Sequence, residues 1–132
     1  MAKTHQDLMV WQIADELRRE VYRLTDYGPV SNDHRLRSQL RQAAGGIATN
    51  IAEGFRRFSS REFLQFVRYA YASAGETAEW LADGVVRGHW RADEVEPARR
   101  ILARLDPALL RLIRYLRSPA AFERSGGKNR KA

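Results

Sequence analysis

The chain is predicted to be all-α, an antiparallel four-helix bundle with an up-down-up-down path and a disordered basic C-terminal tail. Three observations predict it. Apolar residues recur at helical spacing in four long segments, and no segment alternates convincingly as a strand would. Glycine, proline and serine interrupt the pattern at Tyr27-Gly28-Pro29-Val30-Ser31, around Arg56–Phe58 and at Gly88. Segments of about 20–28 residues would span some 30–42 Å, and short turns between rods of that length favour antiparallel packing.

The first helix is expected from about Asp7 to Thr25, with Val10, Ile13, Ala14, Leu17, Val21 and Leu24 as its apolar stripe. The second runs from about Ser31–Asp33 to Glu53, with Leu36, Leu40, Ala43, Ala44, Ile47 and Ile51 inward and Gly54 as its C-terminal stop. Ser59-Ser60-Arg61-Glu62 reads as a capping box opening the third, which continues through Phe63, Val67, Ala70, Ala74, Thr77 and Leu81 to about Arg87. The fourth begins near Asp93, where Asp93 and Glu96 suit a cap. Asp106-Pro107 within it either kinks a single rod, the favoured reading, or starts a new segment. Residues 1–117 form the bundle domain, and residues 118–132, with Ser125-Gly126-Gly127-Lys128, form the disordered tail.

The second helix carries Gly45 and Gly46 in its interior, where each glycine costs about 1 kcal/mol relative to alanine. Packing supplies a reason. A hairpin turning near Arg56–Phe58 sets Ala43-Ala44-Gly45-Gly46 against Ala70-Tyr71-Ala72-Ser73-Ala74-Gly75, and two small-residue strips let backbones approach closely. The same register places Arg41 near Ser73 and Glu76 and predicts an Arg41–Glu76 ion pair. Apolar residues beyond one seam, among them Leu110, Ile113, Tyr115, Tyr69 and Tyr71, point to a wide core or to a second face that meets another subunit.

Composition narrows the function. With 44% hydrophobic and 30% charged residues in 132, the chain reads as one soluble globular domain. No apolar run reaches the roughly 20 residues of a membrane span. The N-terminal residues lack the apolar core of a signal peptide, and the absence of cysteine excludes disulfides and thiol catalysis, so a cytoplasmic location is expected. The net charge of +7 suits an acidic partner, RNA or DNA first, or else keeps an arginine-rich surface soluble. Within residues 118–132, Arg124, Lys128, Arg130 and Lys131 stand against Glu123.

Several residues also carry a resemblance. These are Asp7-Leu8-Met9-Val10-Trp11 with Ala14 and Leu17, Val21-Tyr22-Arg23-Leu24-Thr25, and Gln39-Leu40-Arg41-Gln42-Ala43-Ala44. Asn50-Ile51-Ala52-Glu53-Gly54, Arg57, Ser59, Glu62-Phe63, Ser73 and Glu76 complete the set. Over roughly residues 7–90 the chain resembles the four-helix-bundle family encoded in intervening sequences of bacterial large-subunit ribosomal RNA genes. It departs from that pattern at Gly46, at Gly88-His89-Trp90 and at Asp106-Pro107. The resemblance implies a left-handed bundle that assembles as a ring of five. It also implies similarity to the basic accessory proteins of diversity-generating retroelements, which work with reverse transcriptase and nucleic acid. It implies no particular activity.

Candidate sites follow. Arg35, Arg37, Arg56, Arg57 and Arg61 form the basic set, with Phe58 among the turn arginines; forked guanidiniums suit phosphate and an exposed ring can stack on a base. The alternative is a solvated rim with Phe58 tucked beneath the hairpin. Arg41, Asn50, Glu53, Ser73 and Glu76 form a structural polar motif, with Asn50 and Glu53 on one helix face. Those two either bind a partner or fix packing, Glu53 reaching toward the start of the third helix. Trp11 and Trp80 are expected to pack, and Trp90 to cap the bundle end or anchor a partner. Catalysis is not expected. No glutamate has histidine three residues on, His5, His34 and His89 are scattered, and no Walker-type loop occurs, so no metal, cofactor or small-molecule substrate is indicated. The expected function is a non-enzymatic homo-oligomer presenting basic surface to RNA or DNA, possible partners it would serve as an accessory; the alternative is a protein-binding adaptor or structural oligomer.

Overall fold

The computed structural model describes residues 2–121 of the 132-residue chain. Among them run four long helices and no strand: α1 (Met9–Thr25), α2 (His34–Phe55), α3 (Ser60–Val86) and α4 (Ala92–Leu116). Each packs on its neighbour in sequence, and α4 closes against α1. The helix ends show the path. Trp90 Nε1, just before α4, donates to the carbonyl of Leu24 at the end of α1 at 3.2 Å. Arg87 and His89, just after α3, reach Asp33 at the start of α2 at 3.1 and 2.8 Å. Such contacts belong to an up-down-up-down chain. All four helices feed one core, in which Leu17, Val21, Leu36, Leu40, Ile47, Ile51, Val67, Leu81, Leu105 and Leu109 are wholly buried. Burying one such side chain is worth about 1.5–3 kcal/mol.

The helix starts follow capping chemistry. Asp33 Oδ1 accepts from Leu36 N–H at 3.2 Å, and Ser59 Oγ accepts from Glu62 N–H at 3.1 Å. At α4 it is the Glu94 carboxylate that accepts from the Arg91 N–H, at 2.9 Å, while Asp93 pairs with the Arg91 side chain. Asp7 does not open α1. Its carboxylate accepts from the N–H groups of Lys3 and Thr4, which hold a separate 3-10 turn at His5–Asp7; the bond from Thr4 and then that from Lys3 lower its pKa. Helix α3 ends at Gly88 with φ +82, its N–H bonded to Val85 O and that of His89 to Gly84 O. This is a left-handed glycine stop.

Three expectations need correction. Gly54 is not a stop: α2 continues to Phe55, and Gly54 exists for contact, since a Cβ there would lie 2.7 Å from Phe66 Cβ and 2.8 Å from Phe63 Cδ1. The facing strips are real but narrower than expected. Gly46 lies against Ser73, whose Oγ would be 3.3 Å from an added Cβ, and Ala44, Ala70 and Ala74 are buried, whereas Gly45 and Gly75 border open space. The Arg41–Glu76 pair does not form. Arg41 turns to α1, donating to Thr25 Oγ1 and pairing with Asp26 Oδ1, both at 2.8 Å.

Helix α4 passes unbroken through Pro97 and Pro107. Asp106 therefore caps nothing, and burial raises its carboxyl pKa. Beyond α4 the chain stays folded for a few residues. Residues 119–121 are helical, Ala121 is buried, and its carbonyl accepts from Ser60 Oγ at 2.9 Å. The expected disordered tail thus fails at 118–121, where an apolar side chain finds a seat beside α3. Its remainder lies outside the described residues.

Candidate nucleic-acid interface

The bundle has two poles that treat their arginines differently. One carries the α2–α3 turn, the start of α1 and the end of α4. Lys3 and Arg56 line the same shallow depression there, together with His5 and Phe55. Arg56 and Arg61 are exposed, and no carboxylate lies within ion-pairing distance of either among the described residues. Arg114 and Arg117, in the last turn and cap of α4, are likewise exposed and without a carboxylate among those residues. The Ser60–Ala121 hydrogen bond ties that end of α4 to the start of α3.

At the other pole four guanidiniums are paired with carboxylates, whereas Arg35 has no such partner among the described residues. Arg23 sits 2.7 Å from Glu20, Arg41 2.8 Å from Asp26 and Arg91 3.0 Å from Asp93. Arg87 lies between Asp33 at 3.1 Å and Asp83 at 2.9 Å. Paired charges project little field, whereas unpaired ones of one sign reinforce each other. Asp33 is the hub of this pole. The ring of His89 must donate through Nε2, because a carboxylate only accepts, and that bond first, then Leu36 N–H and Arg87, lowers the Asp33 pKa.

The basic set expected from the sequence is divided. Among the described residues Arg56 and Arg61, at and beside the turn, have no carboxylate partner. Arg57 is half engaged: it pairs with Glu53 at 2.9 Å and lies over the Phe66 ring at 4.8 Å. Arg37 belongs to the fold, its Nε donating to the carbonyl of Thr25 at 2.9 Å. Arg37 and Arg41 together satisfy the end of α1, with Arg41 also over the Tyr22 ring at 4.5 Å. Arg35 is exposed in the first turn of α2, at the opposite pole. Lys3, Arg114 and Arg117 were not singled out from sequence. An up-down path already implied them, because it brings the start of the first helix and the end of the fourth to the second–third turn.

The polar motif is mostly internal to its helices. Asn50 Nδ2 donates to Gly46 O at 2.8 Å, and Glu53 pairs along α2 with Arg57 and not with the start of α3. Ser73 packs on Gly46, and Glu76 Oε1 accepts from Trp80 Nε1 at 3.5 Å. Asn50, Gly46 and Ser73 thus mark the α2–α3 seam. Trp90 is 7% exposed and packs on Gly84, so it closes its end of the bundle.

Among the described residues no helix is long and apolar enough to cross a membrane, and no group of three or more His, Asp or Glu could hold a metal ion. A family model described as 23S rRNA-intervening sequence protein matches residues 6–110. No curated protein matches the chain.

Proposed function

The chain belongs to the 23S rRNA-intervening sequence protein family, and from that premise we propose that it is a non-enzymatic, cytoplasmic homo-oligomer whose turn pole binds the phosphate backbone of RNA or DNA. The observation that carries the reading is the contrast between poles. Among the described residues Arg56, Arg61, Arg114 and Arg117 lack carboxylate partners, while Arg23, Arg41, Arg87 and Arg91 have them. Unpaired guanidiniums gain most from phosphate, because no existing ion pair must be broken. The non-enzymatic part is supported by the use already made of its serines, Ser59 as a helix cap and Ser60 as a donor to Ala121. Self-association is supported by large side chains exposed on the surface, Tyr69 and Tyr71 among them. Five copies rest on the resemblance alone.

A salt series with a structured RNA and a DNA duplex tests the reading. Wild type should bind both at low salt. Arg56→Ala with Arg61→Ala should flatten the plot of log affinity against log salt, by roughly one unit for each phosphate no longer neutralised. No binding at low salt removes the idea. The adaptor reading, favoured by Val86 at 84% exposure, expects a purified protein free of nucleic acid by its 260/280 nm absorbance ratio; light scattering on that preparation gives the subunit number.

A further inference from the structure

The turn between Arg56 and the start of α3, where Arg61 lies, also carries Phe58, and its surroundings set it apart from the other described phenylalanines. Phe55 meets Phe63 edge to face at 6.1 Å. Phe66 meets Tyr69 at 5.8 Å and lies beneath the Arg57 guanidinium. Among the described residues Phe58 takes no part in such ring or cation contacts, and it is 67% exposed, so it is not tucked under the hairpin. A turn of this length needs no aromatic residue for its own geometry, and an exposed phenyl ring contributes nothing to the core. In sequence it lies between Arg56-Arg57 and Ser59-Ser60-Arg61.

We infer that Phe58 is a stacking platform for an unpaired base, so that the turn pole selects single-stranded nucleic acid over duplex. The inference rests on the phosphate binding proposed above and deepens it. A ligand fitting a lone exposed ring between unpaired guanidiniums must be flat, apolar on its face and anionic a few ångströms away. A nucleotide with its base unstacked has that chemistry. A duplex keeps its bases stacked on each other and offers this pole only phosphates. Duplex affinity therefore comes from Arg56 and Arg61, whereas single-strand affinity adds the ring.

The test measures anisotropy of a labelled single strand and of the duplex formed from the same sequence, at one low salt concentration. The proteins are wild type, Phe58→Ala, Phe58→Trp and the Arg56→Ala/Arg61→Ala pair. Phe58→Ala should weaken single-strand binding roughly five- to a hundredfold and duplex binding by less than about twofold, while Phe58→Trp keeps the preference. Unchanged thermal unfolding of Phe58→Ala shows that the fold is intact, as its exposure leads us to expect. If Phe58→Ala weakens both ligands equally, or neither, base stacking is wrong and phosphate binding stands. If wild type binds neither ligand while the fold is intact, both proposals fall.

Discussion

Single glycines do different jobs along this chain, and substitution separates them. A Cβ at Gly84 would lie 2.2 Å from Trp90 Cζ3, and at Gly54 2.7 Å from Phe66 Cβ; at Gly45 it meets nothing within 4 Å. Gly84→Ala and Gly54→Ala should each lower unfolding free energy by about 1–3 kcal/mol or more through overpacking. Gly45→Ala should raise it by up to about 1 kcal/mol through helix propensity. Urea unfolding of the three variants checks both signs, and a stabilised Gly84→Ala would contradict the tight Trp90 contact. Arg41 shows what sequence could have given and did not. Five residues separate it from Gly46, which turns a helix through about 500° and leaves the two about 140° apart. If Gly46 faces α3, Arg41 cannot. Its partners, Thr25 and Asp26, were hidden for another reason: they lie beyond the regular stripe, where the end of α1 depends on tertiary contacts.

Elements were the most legible scale. Four apolar stripes, Ser59 and Gly88 placed the helices within a few residues, because burial and capping act locally. Asp7 and Gly54 were misplaced because a carboxylate or a glycine near a helix end is compatible with both ending and continuing. Pro107 was ambiguous for the same reason; Leu105 and Leu109 on either side are wholly buried, and keeping them in one rod outweighs one missing hydrogen bond. At the start of α2 the Asp33 carboxylate caps α2 and holds Arg87 and His89 beyond the end of α3. Its pKa lies below the ordinary 3.8 in the folded chain. Its stabilisation is therefore complete above 3.8 and is lost as pH falls through the folded value beneath it. Thermal midpoints followed downward from pH 6 should drop at the acid end, and Asp33→Asn, which keeps a capping oxygen without the charge, should show a shallower drop. An identical acid slope in both proteins would rule out this role.

At the scale of the molecule, charge is distributed by pole, and composition cannot show that. The net charge of +7 is the same wherever the carboxylates sit; only their placement beside Arg23, Arg41, Arg87 and Arg91 leaves the turn pole unbalanced. Arg91→Ala should accordingly change nucleic-acid affinity by less than about twofold, against a clear drop for Arg56→Ala with Arg61→Ala. Equal effects from the two would argue for diffuse attraction with no preferred end. The buried indole at the far pole adds an optical consequence. Trp90 is shielded and hydrogen-bonded to Leu24 O, while Trp11 and Trp80 are only partly covered. Its share of the emission, isolated by comparison with Trp90→Phe, should be the bluest of the three and should redden when the pole opposite the arginines loosens. Ligand arriving at the turn should leave that colour untouched.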